Sequence, residues 1–297
     1  MGRVICIANQ KGGVGKTTTA VNLAASIALE GRRALLVDLD PQGSASSGVG
    51  VRLEAGEPGT YEVILGSEAV VDVARESGVN GLSVVASRGD LVGAEIELVT
   101  MEARERRLRA ALEPVRDRYD FILIDCPPSL GLLTVNGLTA ADSVLVPLQC
   151  EYYALEGLTA LLRTVEMIRD GLNAQLRLEG VVLTMFDGRN TLTHQVADEV
   201  RSHLPDDLFA TVIPRNVRLS ESPSHGLPAV LYDPTSRGAQ AYRSLAREVL
   251  YGKGKGDTQV TDGPVVPRAA GARDGSAKAP GERRTGGGWA AWVKSFV

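Results

Sequence analysis

Aromatic side chains are scarce in this sequence, 4% of 297 residues, so its core must be built from Val, Leu, Ile and Ala. Cysteine is scarcer still: Cys6, Cys126 and Cys150 are odd in number and lack metal-ligand spacing. That excludes a disulfide framework or zinc module and predicts a reduced, cytoplasmic chain whose thiols are small buried apolar groups. No apolar run approaches the ~18 residues of a membrane-spanning helix. No secretory signal is expected either, because Met1-Gly2-Arg3 leads directly into a short apolar segment and a glycine loop. Gly2 stands where an N-myristoylation signal begins, but Cys6 occupies the place where that signal wants Ser or Thr. What is present, 44% hydrophobic and 23% charged residues, is the balance of an ordinary globular protein with room for one large or two small domains.

The net charge of −4 conceals a split. Residues 253–297 hold eight Lys/Arg against four Asp/Glu, a net of +4, so by subtraction residues 1–252 carry about −8. Beyond Gly252, Gly, Pro, Ala and basic residues dominate as far as Gly286-Gly287-Gly288, the composition of a disordered linker. The last nine residues then set Trp289, Trp292, Val293 and Phe296 at i, i+3, i+4 and i+7. The expected organisation is a folded body over 1–252, a flexible basic linker over 253–288 and a short amphipathic terminus over 289–297.

Within the body, short apolar runs alternate with helical periodicity. Val4–Ala8, Ala34–Asp38, Phe121–Asp125, Ser143–Leu148, Val181–Met185 and Thr211–Ile213 read as strands. Ala20, Leu23, Ala24 and Ile27 fall at helical spacing before a stop at Gly31. A short helix is expected before Ser143, and longer ones over Thr191–His203 and Ser236–Leu250. Together these predict an α/β fold: an open, mostly parallel twisted sheet with helices on both faces and ligands at the carboxyl ends of its strands.

The chemistry concentrates in Lys11-Gly12-Gly13-Val14-Gly15-Lys16-Thr17-Thr18, which follows a strand and opens a helix. In that setting a P-loop curls successive backbone N–H groups around an oxyanion, and the helix N-terminus adds partial positive charge. Gly12, Gly13 and Gly15 permit the turn and the close approach, Lys16 neutralises β- and γ-phosphates, and the Thr17 hydroxyl ligates Mg²⁺. One departure stands out. The usual glycine six residues before the P-loop lysine is replaced by Gln10, and a second lysine, Lys11, lies inside the loop. Lys11 is badly placed for its own nucleotide; it is either a solvated loop lysine or a cation that reaches a phosphate across a two-fold interface.

This loop resembles the deviant Walker A box of the ParA/MinD superfamily. Val37-Asp38-Leu39-Asp40-Pro41-Gln42-Gly43, Ile124-Asp125-Cys126-Pro127-Pro128-Ser129, Glu151-Tyr152-Tyr153-Ala154-Leu155-Glu156-Gly157 and Pro214-Arg215-Asn216-Val217-Arg218-Leu219-Ser220-Glu221 are similar to the chromosomal ParA (Soj) branch. The resemblance, which covers about residues 3 to 250, implies an ATP- and Mg²⁺-dependent P-loop ATPase, slow and stimulated by its partner. Such proteins close into a homodimer on ATP, bind double-stranded DNA non-specifically and respond to a ParB-type activator at the nucleoid. Carried over by position, Lys11 contacts the partner subunit's nucleotide and Gly12 lies at that interface. Asp40 positions the attacking water, Asp38 and Asp125 organise the Mg²⁺ shell, Pro214 and Asn216 hold the adenine, and Arg189 and Arg218 contact DNA. Carboxylates at strand ends beside a Mg²⁺–phosphate site are what phosphoryl transfer requires, although Asp38 and Asp40 also suit turn or helix caps. For each arginine a solvated surface position is the alternative.

Three further readings stand beside this one. A MinD-like ATPase cycling on a membrane would use the aromatic stripe at 289–297, which is short, carries one cation and serves equally as a partner-docking peptide or an inert end. An electron-transfer ATPase resembling the nitrogenase iron protein would need a cysteine pair that the spacing here does not offer. A GTPase would need a guanine-selecting Asn/Thr-Lys-x-Asp element, which is not found.

Overall fold

The computed structural model describes residues 1–253, so the aromatic terminus and all but the first residue of the expected linker lie outside the described residues. The described chain forms an eight-stranded sheet: β1 (Arg3–Ile7), β2 (Ala34–Asp38), β3 (Arg75–Glu76), β4 (Leu82–Val85), β5 (Phe121–Asp125), β6 (Ser143–Gln149), β7 (Arg177–Phe186) and β8 (Leu208–Pro214). Their spatial order is β3-β4-β2-β5-β1-β6-β7-β8, parallel throughout except for the β3–β4 pair.

The strands are apolar along their length because both faces of the sheet are covered. Val4 and Cys6 of β1 enter one buried cluster and Ile5 and Ile7 the other; β2 divides Leu35 and Val37 from Ala34 and Leu36 in the same way. Helices Leu132–Ala140, Ala154–Gly171 and Thr191–His203 close the first cluster, and Lys16–Leu29 and Arg237–Tyr251 close the second. Apart from Tyr242 and Phe209, the largest fully buried side chains are Ile and Leu, as the scarcity of aromatics requires. All three cysteines are buried and free.

Every expected strand and long helix is present, with ends shifted by up to four residues. The largest shift is at β7, which begins at Arg177 rather than Val181, because polar Arg177 and Glu179 interrupt the apolar run there. Strands β3 and β4 were not among the expectations, being two and four residues long, and neither was helix Ala154–Gly171. That helix does carry a legible stripe, Leu158, Leu161, Leu162, Val165 and Ile168, all buried. Lys253, assigned to the linker, is packed: its ammonium donates to the Asp206 carbonyl (3.1 Å) and lies 4.8 Å from the Phe209 ring centroid.

β1 sits between β5 and β6, with β2 beyond β5 on one side and β7 and β8 beyond β6 on the other. Its carboxyl end is therefore where the strand order changes direction, the crevice at which open α/β sheets bind ligands.

Candidate functional site

The loop from Ala8 to Gly15 joins β1 to helix Lys16–Leu29 at that crevice. Gly13 and Gly15 have φ of +74° and +87°, a left-handed conformation that costs residues bearing a Cβ. The helix has no side-chain N-cap, so its first amides remain open to an anion. The loop is held from below. Asn9 Nδ2 donates to the Pro147 carbonyl (2.7 Å), Asn9 Oδ1 accepts from Lys11 N (3.0 Å), and Thr184 Oγ1 donates to the Val14 carbonyl (2.8 Å). Lys16 is only 7% exposed, and its ammonium donates to the Lys11 carbonyl (2.9 Å). Burial lowers its pKa, opposed by the charges of Asp125, Cys126 and Asp40. Thr17 and Thr18 follow it on the first turn of the helix, both half-buried. A Cβ on Gly12 would meet nothing within 4 Å, so nothing in this chain demands glycine there.

Asp38 and Asp125 end β2 and β5, face each other in register and are fully buried. Asp38 is well furnished: Oδ2 accepts from Ser46 N (2.8 Å) and Ser46 Oγ (2.7 Å), and Oδ1 from Asp40 N (3.1 Å). Burial outweighs those bonds and pushes its pKa up to about 6. The turn that delivers Ser46 needs Gly43, with φ +62° and a would-be Cβ 2.6 Å from the Ser87 carbonyl. Asp125 is different. Neither carboxylate oxygen has a hydrogen-bond partner. Burial and then the charge of Asp38 push its pKa well up, with the neighbouring Thr17 hydroxyl opposing. Buried polar groups are normally satisfied, so two open carboxylate oxygens beside a helix N-terminus are an incomplete site.

The donors present, carboxylates and a hydroxyl, are those of a hard cation. Among the described residues no group of three or more His, Cys, Asp or Glu could cage a metal unaided. That suits Mg²⁺, which keeps several waters and takes few protein ligands beside a phosphate. Asp40 is half-buried and spends Oδ1 on Gln42 N (2.9 Å), the turn-capping bond its sequence position also suggested.

The side chains of the remaining candidates find their partners outside this cluster. Lys11 forms an ion pair with Glu151, both partners substantially exposed. Pro214 is buried at the end of β8, and Asn216 caps the short helix Val217–Glu221 by accepting from Arg218 N (2.9 Å). Arg189 and Arg218 are on the neighbouring surface, each already paired with carboxylates. Sequence reasoning missed Asn9, Ser46, Thr184 and Glu151. Glu151 lay inside a segment that carries the family resemblance but had no role assigned, and Thr184 carried a signal as a polar residue near the carboxyl end of an apolar strand.

A glycine loop on a helix N-terminus, a buried lysine and an unsatisfied strand-end carboxylate define a P-loop nucleotide-binding protein. A family model described as an AAA domain matches residues 2–178. The chain is 56% identical over 249 residues to the sporulation initiation inhibitor protein Soj of Bacillus subtilis, covering 84% of this chain and 98% of that one. It is 54% identical over 250 residues to the chromosome partitioning protein ParA of Myxococcus xanthus, covering 84% and 88%. Among solved structures it is similar to cobyrinic acid a,c-diamide synthase from Mycobacterium smegmatis with bound ATP analog and magnesium, at 37% identity and a TM-score of 0.73, covering 85% and 98%. The chain belongs to the ParA/Soj family of P-loop ATPases.

Proposed function

We propose that this protein is a DNA-partitioning ATPase in which Mg²⁺ and ATP close a homodimer, the dimer binds double-stranded DNA non-specifically, and a ParB-type partner stimulates slow hydrolysis. The observation that carries the nucleotide half is Asp125, buried with both oxygens open next to Thr17, Lys16 and Asp38. The relatives named for chromosome partitioning, matched over nearly their whole length, support the cellular role.

In this reading the loop amides and Lys16 hold the β- and γ-phosphates, exchanging the Lys11 carbonyl for ligand oxygens. Thr17, backed by Asp38 and Asp125, would hold Mg²⁺, which when bound would offset charge on the phosphate oxygens. Asp40 orients the attacking water with the oxygen not spent on Gln42. The Asn216 amide nitrogen, with no partner among the described residues, can donate to an adenine ring nitrogen while its oxygen caps the helix, and Pro214 precedes it at the end of β8. Lys11 completes the partner's site. Its exposure, and the open space over Gly12, leave room for a second subunit at the loop. A dimer that exists only through such contacts is a population switch, because ATP favours it solely by interactions the monomer lacks.

No helix among the described residues is long and apolar enough to cross a membrane, and the membrane-cycling reading rests on residues 289–297, outside them. An iron–sulfur cluster shared between subunits would need cysteines at the surface, whereas all three here are buried. The test is the oligomeric state by light scattering, and phosphate release, with ATP, ADP and no nucleotide. Wild type should dimerise only with ATP, while Lys11→Ala and Asp40→Ala should each impair dimerisation or hydrolysis. If both variants match wild type in both assays, the dimer-switch reading is wrong.

A further inference from the structure

We propose that Arg215 is a phosphate contact of the DNA-binding face, and that Asp187, Glu221 and Asp233 restrain that face by holding its other arginines in ion pairs. The proposal rests on the DNA-binding reading above. Asp187 and Arg215 directly follow the carboxyl ends of β7 and β8, Glu221 ends the short helix after β8, and Asp233 follows helix Ala229–Tyr232. Phe186 and Pro214 are register partners, and Arg215 N donates to the Phe186 carbonyl (3.2 Å), so the two loops run side by side.

The two arginines singled out by resemblance are the ones whose charge is already engaged. Arg189 is 92% exposed, yet Asp187 grips it with both oxygens, Oδ1 to Nε and Oδ2 to Nη2, each 3.0 Å. Arg218 is shared by two carboxylates, Nη1 to Glu221 Oε2 at 2.8 Å and Nε to Asp233 Oδ2 at 3.2 Å. The first group is neutral and the second carries net negative charge. Arg215 is exposed, and among the described residues its side chain makes no hydrogen bond or ion pair. Its charge helps keep Asp187 ionised, behind the larger effect of Arg189, but it is locked to no single carboxylate, and a two-fold dimer would present it twice.

Affinity for a duplex comes largely from phosphates neutralised and counterions released, so an arginine already neutralised contributes less than a free one. Exposed ion pairs are weak enough to exchange for phosphate. Binding therefore starts from Arg215 and recruits Arg189 and Arg218 only as their carboxylates let go.

The experiment measures binding of the full-length protein, loaded with a non-hydrolysable ATP analogue, to a short duplex of random sequence across a salt series. Arg215→Ala should weaken binding roughly tenfold at low salt and make the log–log salt slope shallower by about 1 to 2, with Arg215→Lys restoring most of the loss. Asp187→Asn, which keeps an acceptor for Arg189 N but removes the charge, should tighten binding several-fold. If wild type binds and Arg215→Ala leaves affinity and slope unchanged, the Arg215 assignment is overturned. It is overturned equally if calorimetry shows that lost nucleotide affinity accounts for the whole effect. An Asp187→Asn variant that binds no tighter overturns the restraint. Absence of wild-type binding in every nucleotide state refutes the DNA reading itself, independently of Arg215.

Discussion

The carboxyl end of the sheet holds two charged regions built in opposite ways. At β1, β2 and β5 the charges are buried, and two of the three are short of partners: Lys16 has one carbonyl, and Asp125 has only the neighbouring Thr17 hydroxyl, with no well-formed hydrogen bond among the described residues. At β7 and β8 the arginines stand in solvent, and Arg189 and Arg218 are paired in full view of water. Burying a charge without a partner costs several kcal/mol, so a fold keeps such an arrangement only where something else completes it. Pairing exposed charges costs almost nothing and implies no ligand. The first region therefore announces a ligand from its own geometry, whereas the second needs the family resemblance to be read as a binding face.

The largest effect should come from the buried lysine. Lys16→Ala is expected to lower ATP hydrolysis by at least ~10²-fold, since it removes the charge nearest the transferring phosphate. A variant releasing phosphate within tenfold of wild type would erase the contrast between the regions. Next is Ser46→Ala, which takes an Oγ donor from buried Asp38 and an acceptor from Ser87 N (3.0 Å). Thermal or denaturant unfolding should show a loss of roughly 1–3 kcal/mol. At the exposed edge, Arg189→Ala and Arg218→Ala should alter stability by no more than about 0.5 kcal/mol. Their DNA affinity should fall by less than that of Arg215→Ala. A larger stability loss would mean that those ion pairs are structural after all.

The two regions also differ in how much of them was legible in the sequence. The P-loop was readable because glycine spacing, a preceding strand and a following helix are all local. The burial of Asp38 and Asp125 together was not, since their registry depends on β2 and β5 being neighbours despite 82 residues between the strand ends, filled largely by elements too short to read. Ser46 was invisible for the same reason: its role depends on the Gly43 turn and not on any pattern around it. At the edge, the family resemblance pointed to Arg189 and Arg218, but only the folded chain reveals the carboxylates that hold them. Lys11 is similar, legible as an anomaly while its pairing with Glu151, 140 positions away, is not.

The buried acids further predict how stability varies with pH. Both have folded pKa values above their unfolded ones, Asp38 at about 6 and Asp125 well raised. Such a carboxyl binds its proton more tightly when folded, so its contribution is fully present below the unfolded value near 4 and is lost as pH rises through the folded value. The ligand-free protein should therefore lose stability from these groups between about pH 4 and pH 6, and beyond it for Asp125. Asp125→Asn should show a flatter profile over that range than wild type.

The same substitution gives the most direct test of the central claim, that Asp125 is left open for a magnesium–nucleotide complex. Thermal unfolding of wild type and Asp125→Asn should be compared at about pH 7.5, first with chelator and no nucleotide, then with Mg²⁺ and a non-hydrolysable ATP analogue. Asp125→Asn is expected to be the more stable protein without ligand and to gain less from ligand, so that the order narrows or reverses. A variant less stable than wild type without ligand, and stabilised by Mg²⁺ and analogue to the same extent, would contradict that claim.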